Sequence, residues 1–424
     1  MLSLAFYGWM KLSNLFVMIP SILFNWYLSK RIVGQKDAKL RKRYLWLALA
    51  PNILYLATFK YTNAVLGTHW EFPLGLSFFT VTQVMYLVDC YEGLSPPNNL
   101  LNHSLFVSFF PYVAAGPLTR SRTIVRQFED SGKSRDHAAD IARGLFVFAI
   151  GLVKKVIFAD SFRRLADAGF LQPTNLSTLE AWMISVAFTL EIYFDFSGYS
   201  DMAIGVALSL GFEIPENFNS PFRSRSIIEF WQRWHMTLSN FITTYLYTPI
   251  VRSFKKVTLA SASVATIIAM LIAGIWHGAG WGFAIWGLLH GVALAVNHYW
   301  KKSKLRMPPL LAWAATFVFV TITLVFFRAP DVKSALSILE QMIPNPNLLS
   351  ITAIRAKVRG VELEVMFLPL LIGTILAFWG KNSGELRKTF VPTTRSSFAV
   401  ASLIIMALLF MNSNIAQEFV YFAF

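Results

Sequence analysis

Gly274-Ile-Trp-His-Gly-Ala-Gly-Trp-Gly-Phe-Ala-Ile-Trp-Gly-Leu-Leu-His-Gly291 places two histidines in an otherwise almost wholly apolar run. His277 and His290 each precede a glycine, 13 residues apart. At 100° per residue that is roughly 220° around one helix, so a single helix would not show both on one face. The glycines from Gly278 to Gly282 allow a turn instead. His277 then sits near the end of one helix, and His290 lies deep in the next. The flanking segments, 257–276 and 279–300, are each long enough to cross a bilayer, which takes about 20 mainly apolar residues.

The rest of the chain repeats this pattern. Further candidate spans are 2–29, 44–60, 72–90, 100–117, 141–160, 179–197, 236–251, 309–328, 363–380 and 396–414. Of 424 residues, 55% are apolar and 14% charged, against about 25% charged in soluble domains. This excludes a soluble, a disordered or a disulfide-scaffolded secreted protein. The net charge of +15 does not indicate nucleic acid, because the basic residues lie in short loops between apolar runs, as membrane orientation requires. Cys90 is the only cysteine and reads as packing. The first residues lack the basic stretch and cleavage site of a signal peptide. The expected fold is an all-α polytopic membrane protein, one transmembrane domain over 1–424. It should have about eleven transmembrane helices plus re-entrant and interfacial helices. No fixed-period repeat is visible, which removes solenoids and gives no support to an inverted-repeat transporter.

Seven basic residues between Lys30 and Arg43, against Asp37 alone, mark a cytoplasmic loop. Lys154–Lys155, Arg252–Lys256 and Lys301–Arg306 read the same way. Strict alternation would put Arg120, Arg122 and Arg126 outside. Re-entrance of 100–118, interrupted by Pro111, Gly116 and Pro117, resolves the conflict. Ser177-x-x-Glu180 and Ser226-x-x-Glu229 read as capping boxes. Behind the second, Ile227, Phe230, Trp231, Trp234 and Leu238 recur at helical spacing, suggesting an interfacial amphipathic helix. Residues 331–342 form a weaker one.

Polar residues inside apolar runs are expensive and therefore informative. Glu191, Asp195 and Asp201 sit among aromatics with Ser197, Tyr199 and Ser200, and Gly198 offers a break. The group is either a hydrogen-bond cluster joining two helices or the polar wall of a substrate cavity. In Pro215-Glu-Asn-Phe-Asn-Ser-Pro-Phe222, Asn217 and Asn219 either satisfy backbone groups or contact substrate. The two histidines are either satisfied core residues or, if neutral, able to take a proton from a hydroxyl and return it. Trp276, Trp281 and Trp286 either pack helices or wall a narrow tunnel. No metal site is expected, since the seven histidines are scattered and no Cys pair exists. Walker A, Rossmann and GxSxG signatures are absent.

Several blocks, in order, resemble the membrane-bound O-acyltransferases, most closely the branch of the alginate O-acetyltransferase membrane subunit. They are Pro73-Leu-Gly-Leu-Ser-Phe-Phe, Ala115-Gly-Pro-Leu, Tyr193-Phe-Asp-Phe-Ser-Gly-Tyr-Ser-Asp-Met-Ala-Ile-Gly, Glu216-Asn-Phe-Asn, Phe230-Trp-Gln-Arg-Trp-His-Met-Thr-Leu-Ser, Trp276-His-Gly with Trp286-Gly-Leu-Leu-His-Gly, and Phe326-Phe-Arg-Ala. The resemblance implies helices around a central tunnel in a bacterial cytoplasmic membrane. It implies catalytic roles for His277, the family's essential histidine, and for His290. It also implies acetyl-CoA as cytoplasmic acyl donor, with no permanently bound cofactor. The acceptor it implies is an envelope or exported polysaccharide, often reached through a periplasmic SGNH-hydrolase-like partner. Asp195, Tyr199, Asp201, Asn217, Asn219, Trp231, Trp234, His235 and Trp276 are the tunnel or supporting candidates. Two departures stand out. Relatives usually carry another apolar segment before Phe6-Tyr-Gly-Trp, and their Gly-Gly-Asn-Arg loop is replaced by Thr248-Pro-Ile-Val-Arg-Ser-Phe-Lys-Lys.

The expected mechanism has His277 deprotonate an acceptor hydroxyl, which attacks a thioester without an acyl-enzyme. Three alternatives stay open: D-alanyl or other acyl transfer to teichoic acid or lipid, a non-enzymatic glycan or lipid transporter, and a scaffold that recruits a soluble acyltransferase.

Overall fold

The computed structural model describes residues 2–67, 72–130, 136–171, 176–303, 305–344, 351, 360–413 and 419. Among them every regular element is helical. Three helices are long and apolar enough by themselves to cross a membrane: Leu259–His277, Pro309–Arg328 and Thr394–Met411. Others of ample length fail that criterion on composition. Thr178–Ser209 has 32 residues but carries Glu180, Glu191, Asp195 and Asp201, all buried. Helices wrapped by protein tolerate such residues, so hydropathy alone does not yield a span count.

Packing divides the chain into two compact units, residues 1–145 with 203–215, and residues 146–202 with 216–424. In the first, Leu28, Ile32, Leu45, Ala48, Leu49 and Leu87 form a core between helices Ser13–Gly34, Ala38–Leu66 and Leu76–Tyr91. Buried Asn25 and Asn52 hydrogen-bond to each other across it. Tyr86 donates to Ser29 and accepts from the Asn98 amide. Cys90 is fully buried, as a packing residue should be. Segment 100–118 is not one helix. Leu100–Ser108 spans 9 residues, about 14 Å of rise, too short to cross. The chain then runs irregularly but buried through Tyr112, Ala115 and Leu118.

The second unit holds the histidine hairpin. Leu259–His277 ends at Gly278, and Trp281–Ser303 starts three residues later. Each histidine therefore sits on its own helix, as the glycine pattern predicts. The two helices touch through backbone. A Cβ on Gly287 would lie 2.5 Å from the Met270 carbonyl oxygen, and one on Gly274 would lie 2.3 Å from that of Phe283. Only glycine permits this approach.

Two sequence expectations need correction here. Gly198 breaks nothing, and Thr178–Ser209 continues through it. Its missing side chain serves a helix crossing, since a Cβ there would meet the Gly151 carbonyl oxygen at 2.8 Å. The supposed amphipathic helix over 227–238 stops at Trp231, and a new one starts at Met236. His235 between them adopts φ 41°. Ile227, Phe230, Trp231, Trp234 and Leu238 are all buried, so the segment is internal. Candidate span 236–251, by contrast, lies in one continuous helical run from Met236 to Ser253, widened by a π-helical turn at Ile242–Tyr247. The smaller expectations hold. Ser177 and Glu180 form a reciprocal cap, and Val332–Gln341 is a helix capped by Asp331.

Candidate active site

His277 is 3% exposed at the C-terminus of its helix. Three aromatic rings surround it, Trp276 at 4.9 Å, Phe327 at 5.2 Å and Trp286 at 5.3 Å between centroids. Trp286 also meets His290 at 4.9 Å. One indole thus touches both histidines. Its Nε1 is buried without a hydrogen-bond partner among the described residues.

His290 differs from His277 in a way the sequence does not show. Trp231 Nε1–H donates to His290 Nδ1 at 3.2 Å. An indole nitrogen is only a donor, so Nδ1 must be the unprotonated acceptor. His290 Nε2 lies 3.0 Å from Thr323 Oγ1. The Thr323 hydroxyl donates its own proton to the Val320 carbonyl oxygen at 2.9 Å, which leaves its oxygen to accept from Nε2–H. The chain of donors fixes His290 as the neutral Nε2–H tautomer with both nitrogens engaged. Its Nδ1 thereby fixes the Trp231 indole. Thr323→Val, nearly the same size, is expected to strand that N–H at a cost of about 1–3 kcal/mol. Thermal midpoint and transfer rate should both fall, while Thr323→Ser restores them. Equal behaviour of Thr323→Val and wild type in both measurements would refute the assignment.

A second cluster surrounds His235. Asn217 Oδ1 lies 3.0 Å from His235 Nδ1 and accepts from the Thr237 hydroxyl and amide at 2.9 and 3.3 Å. The Asn217 carbonyl takes the Met236 amide at 2.9 Å. This one asparagine caps the helix that begins at Met236 and holds the left-handed turn before it. The Asn219 side chain instead bonds another side chain, accepting from Asn382 Nδ2 at 3.0 Å. Of the two, Asn217 is the one whose side chain takes a backbone amide. Trp234 stacks on Phe230 at 5.5 Å, and Phe230 in turn faces His290.

The carboxylates form a third group, and here Lys154–Lys155, read from the sequence as orientation charges, prove to be helical and tied to buried partners. Both lysines are on a π-helical turn, Lys154–Ala159, inside the second unit. Lys155 is 6% exposed and bridges Asp160 at 2.8 Å and Asp195 at 2.9 Å. Lys154 pairs with Asp201 at 2.6 Å, and Asp201 also accepts from Ser383 at 2.7 Å. The wider turn presents two consecutive lysines to partners on the neighbouring helix. Asp195 and Asp201 are thus neutralised in ion pairs. Tyr199 packs edge-on against Phe419 at 4.8 Å. Of the sequence candidates, Trp231 and Trp276 join the two histidines. Trp286, mentioned only as a wall, is the central ring. Thr323 and Phe327 come from a helix that carried no site candidate; an apolar span gives no sign of which side chains face a histidine.

The sequence profile of the membrane-bound O-acyltransferase family matches residues 8–330, which include both histidines and the Phe326-Phe-Arg block. The chain belongs to the membrane-bound O-acyltransferase family. It is 35% identical to the peptidoglycan O-acetyltransferase of Helicobacter pylori, over all of this chain and 90% of that protein. It is also 35% identical to the probable alginate O-acetylase AlgI of Pseudomonas aeruginosa, over 89% of this chain and 75% of the relative. The teichoic acid D-alanyltransferase of Bacillus subtilis is 28% identical over 60% of this chain and 66% of its own length. This membrane-bound O-acyltransferase is therefore a multi-pass membrane enzyme that transfers acyl groups.

Proposed function

We propose that the protein moves an acetyl group from cytoplasmic acetyl-CoA to a hydroxyl of an envelope polysaccharide, directly or through a periplasmic SGNH-hydrolase-like partner. It does so as one functional transmembrane domain in the bacterial cytoplasmic membrane. The single observation that carries this reading is the buried His277 at a helix end, walled by Trp276, Trp286 and Phe327, beside a buried indole N–H. His277 takes the proton of the acceptor hydroxyl. The oxygen attacks the thioester carbonyl, and the tetrahedral oxyanion forms. Collapse breaks the carbon–sulfur bond, and the thiolate leaves with the proton returned from His277. The unpartnered Trp286 N–H is a suitable donor to the oxyanion. The aromatic walls exclude water, which would otherwise hydrolyse the thioester. The two most similar relatives named above act on polysaccharides, which supports that acceptor class over a lipid.

Membrane vesicles containing the protein and acetyl-labelled acetyl-CoA test the donor. Label should appear as base-labile ester in the polysaccharide fraction, and only when the protein is present. Label transfer from a D-alanyl carrier with none from acetyl-CoA would replace this reading with D-alanylation.

A further inference from the structure

A second feature of the same unit lies away from His277. An apolar groove of about 1200 Å³ runs between helices Trp281–Ser303 and Pro309–Arg328. Leu289, Val292 and Val296 form one wall, and Ala312, Ala315 and Phe319 the other. Lys301 and Arg306 lie at the end where the two helices are joined, and Arg225 shares a neighbouring cavity with Pro309 at that same end. The one carboxylate there, Glu229, is already paired with Arg233 at 3.0 Å. Among the described residues, no carboxylate is paired with these three cations.

We propose that this groove binds an anionic phospholipid, its headgroup on Arg225, Lys301 and Arg306 and one acyl chain between the two helices. The dimensions fit. Lys301 to Leu289 is twelve residues of helix, about 18 Å, close to one leaflet of a hydrocarbon core about 30 Å thick. The wall opens outward, since Val296 is 57% exposed and Val292 and Trp300 are also largely uncovered. In a membrane enzyme such apolar exposure faces lipid, not water. Phe319 lines the groove, and its ring packs on His290 at 5.3 Å. Among the described lining residues His277 does not appear. Basic pockets between membrane helices recognise anionic headgroups in this way.

The test uses the full chain in nanodiscs of phosphatidylglycerol or of phosphatidylcholine, followed by detergent extraction and native mass spectrometry of retained lipid. Wild type should keep phosphatidylglycerol in preference. At about 1 kcal/mol per basic residue near the surface, the combined Arg225→Gln, Lys301→Gln and Arg306→Gln variant should retain it roughly a hundredfold less well. Ala312→Trp, which fills the slot and keeps the charges, should also lose it. Equal retention of the two lipids by wild type overturns the proposal. So does phosphatidylglycerol retention unchanged by Ala312→Trp. Displacement of the lipid by free coenzyme A overturns it as well, because the groove would then belong to the donor. The wild-type comparisons stand even if the triple variant fails to fold.

Discussion

Cells carrying His277→Ala at wild-type membrane levels are expected to lose ester-linked acetate from their envelope polysaccharide. The transfer rate should fall on the order of a hundred- to ten-thousandfold, the usual worth of a positioned general base. Alanine also removes a ring that fills space between Trp276, Trp286 and Phe327, so the fold must be checked in parallel. His277→Gln keeps volume and polarity but cannot cycle a proton, and should be nearly as inactive with a normal thermal midpoint. Acetate that depends on the protein but is unchanged in both variants would sink the His277 mechanism and favour a scaffold role. Intact acyl transfer with failed export would point to a transporter. Replacing His290 should read differently, because its nitrogens are committed to Trp231 and Thr323. There, stability and activity should decline together.

The largest expected effect on folding belongs to Lys155. Its ammonium lies within 3 Å of two carboxylates, and its side chain is 7% exposed. Lys155→Met leaves Asp160 and Asp195 buried without their shared cation. Removing one partner of such a group typically destabilises by about 3–5 kcal/mol, a large part of the total stability of a domain. The variant should accumulate poorly and run as aggregate in fluorescence-detected size-exclusion chromatography. Adding Asp160→Asn and Asp195→Asn removes the stranded charges and should recover much of the monodisperse peak. A monodisperse single variant with an unchanged midpoint would show that the bridge contributes little.

What the sequence made legible follows from local chemistry. The histidine hairpin was readable because glycines and apolar runs act at short range. The same holds for the Ser177–Glu180 cap. What stayed hidden depends on distant partners. Counting lysines as orientation charges does not reveal a buried bridge, because Asp195 and Asp201 arrive forty or more residues later. The apolar period across 227–238 continues undisturbed through His235, while the turn there is held by Asn217 from 18 residues upstream. Gly198 could equally end a helix or admit a neighbouring backbone, and only the position of Gly151 decides it. The His290 tautomer needs three side chains from three helices.

The Lys154–Asp201 pair also has a consequence for biogenesis. Its members are 47 residues apart, and translation at about 5–20 residues per second separates their emergence by roughly 2–10 s. Lys155 has Asp160 at hand almost at once, but Lys154 has no such early neighbour in its pair. Until Thr178–Ser209 is made, the helix that carries Lys154 holds that cation without the Asp201 carboxylate, at a cost in lipid of about 2.5–3.5 kcal/mol. Entry of the two helices together, as a neutral pair, avoids that cost.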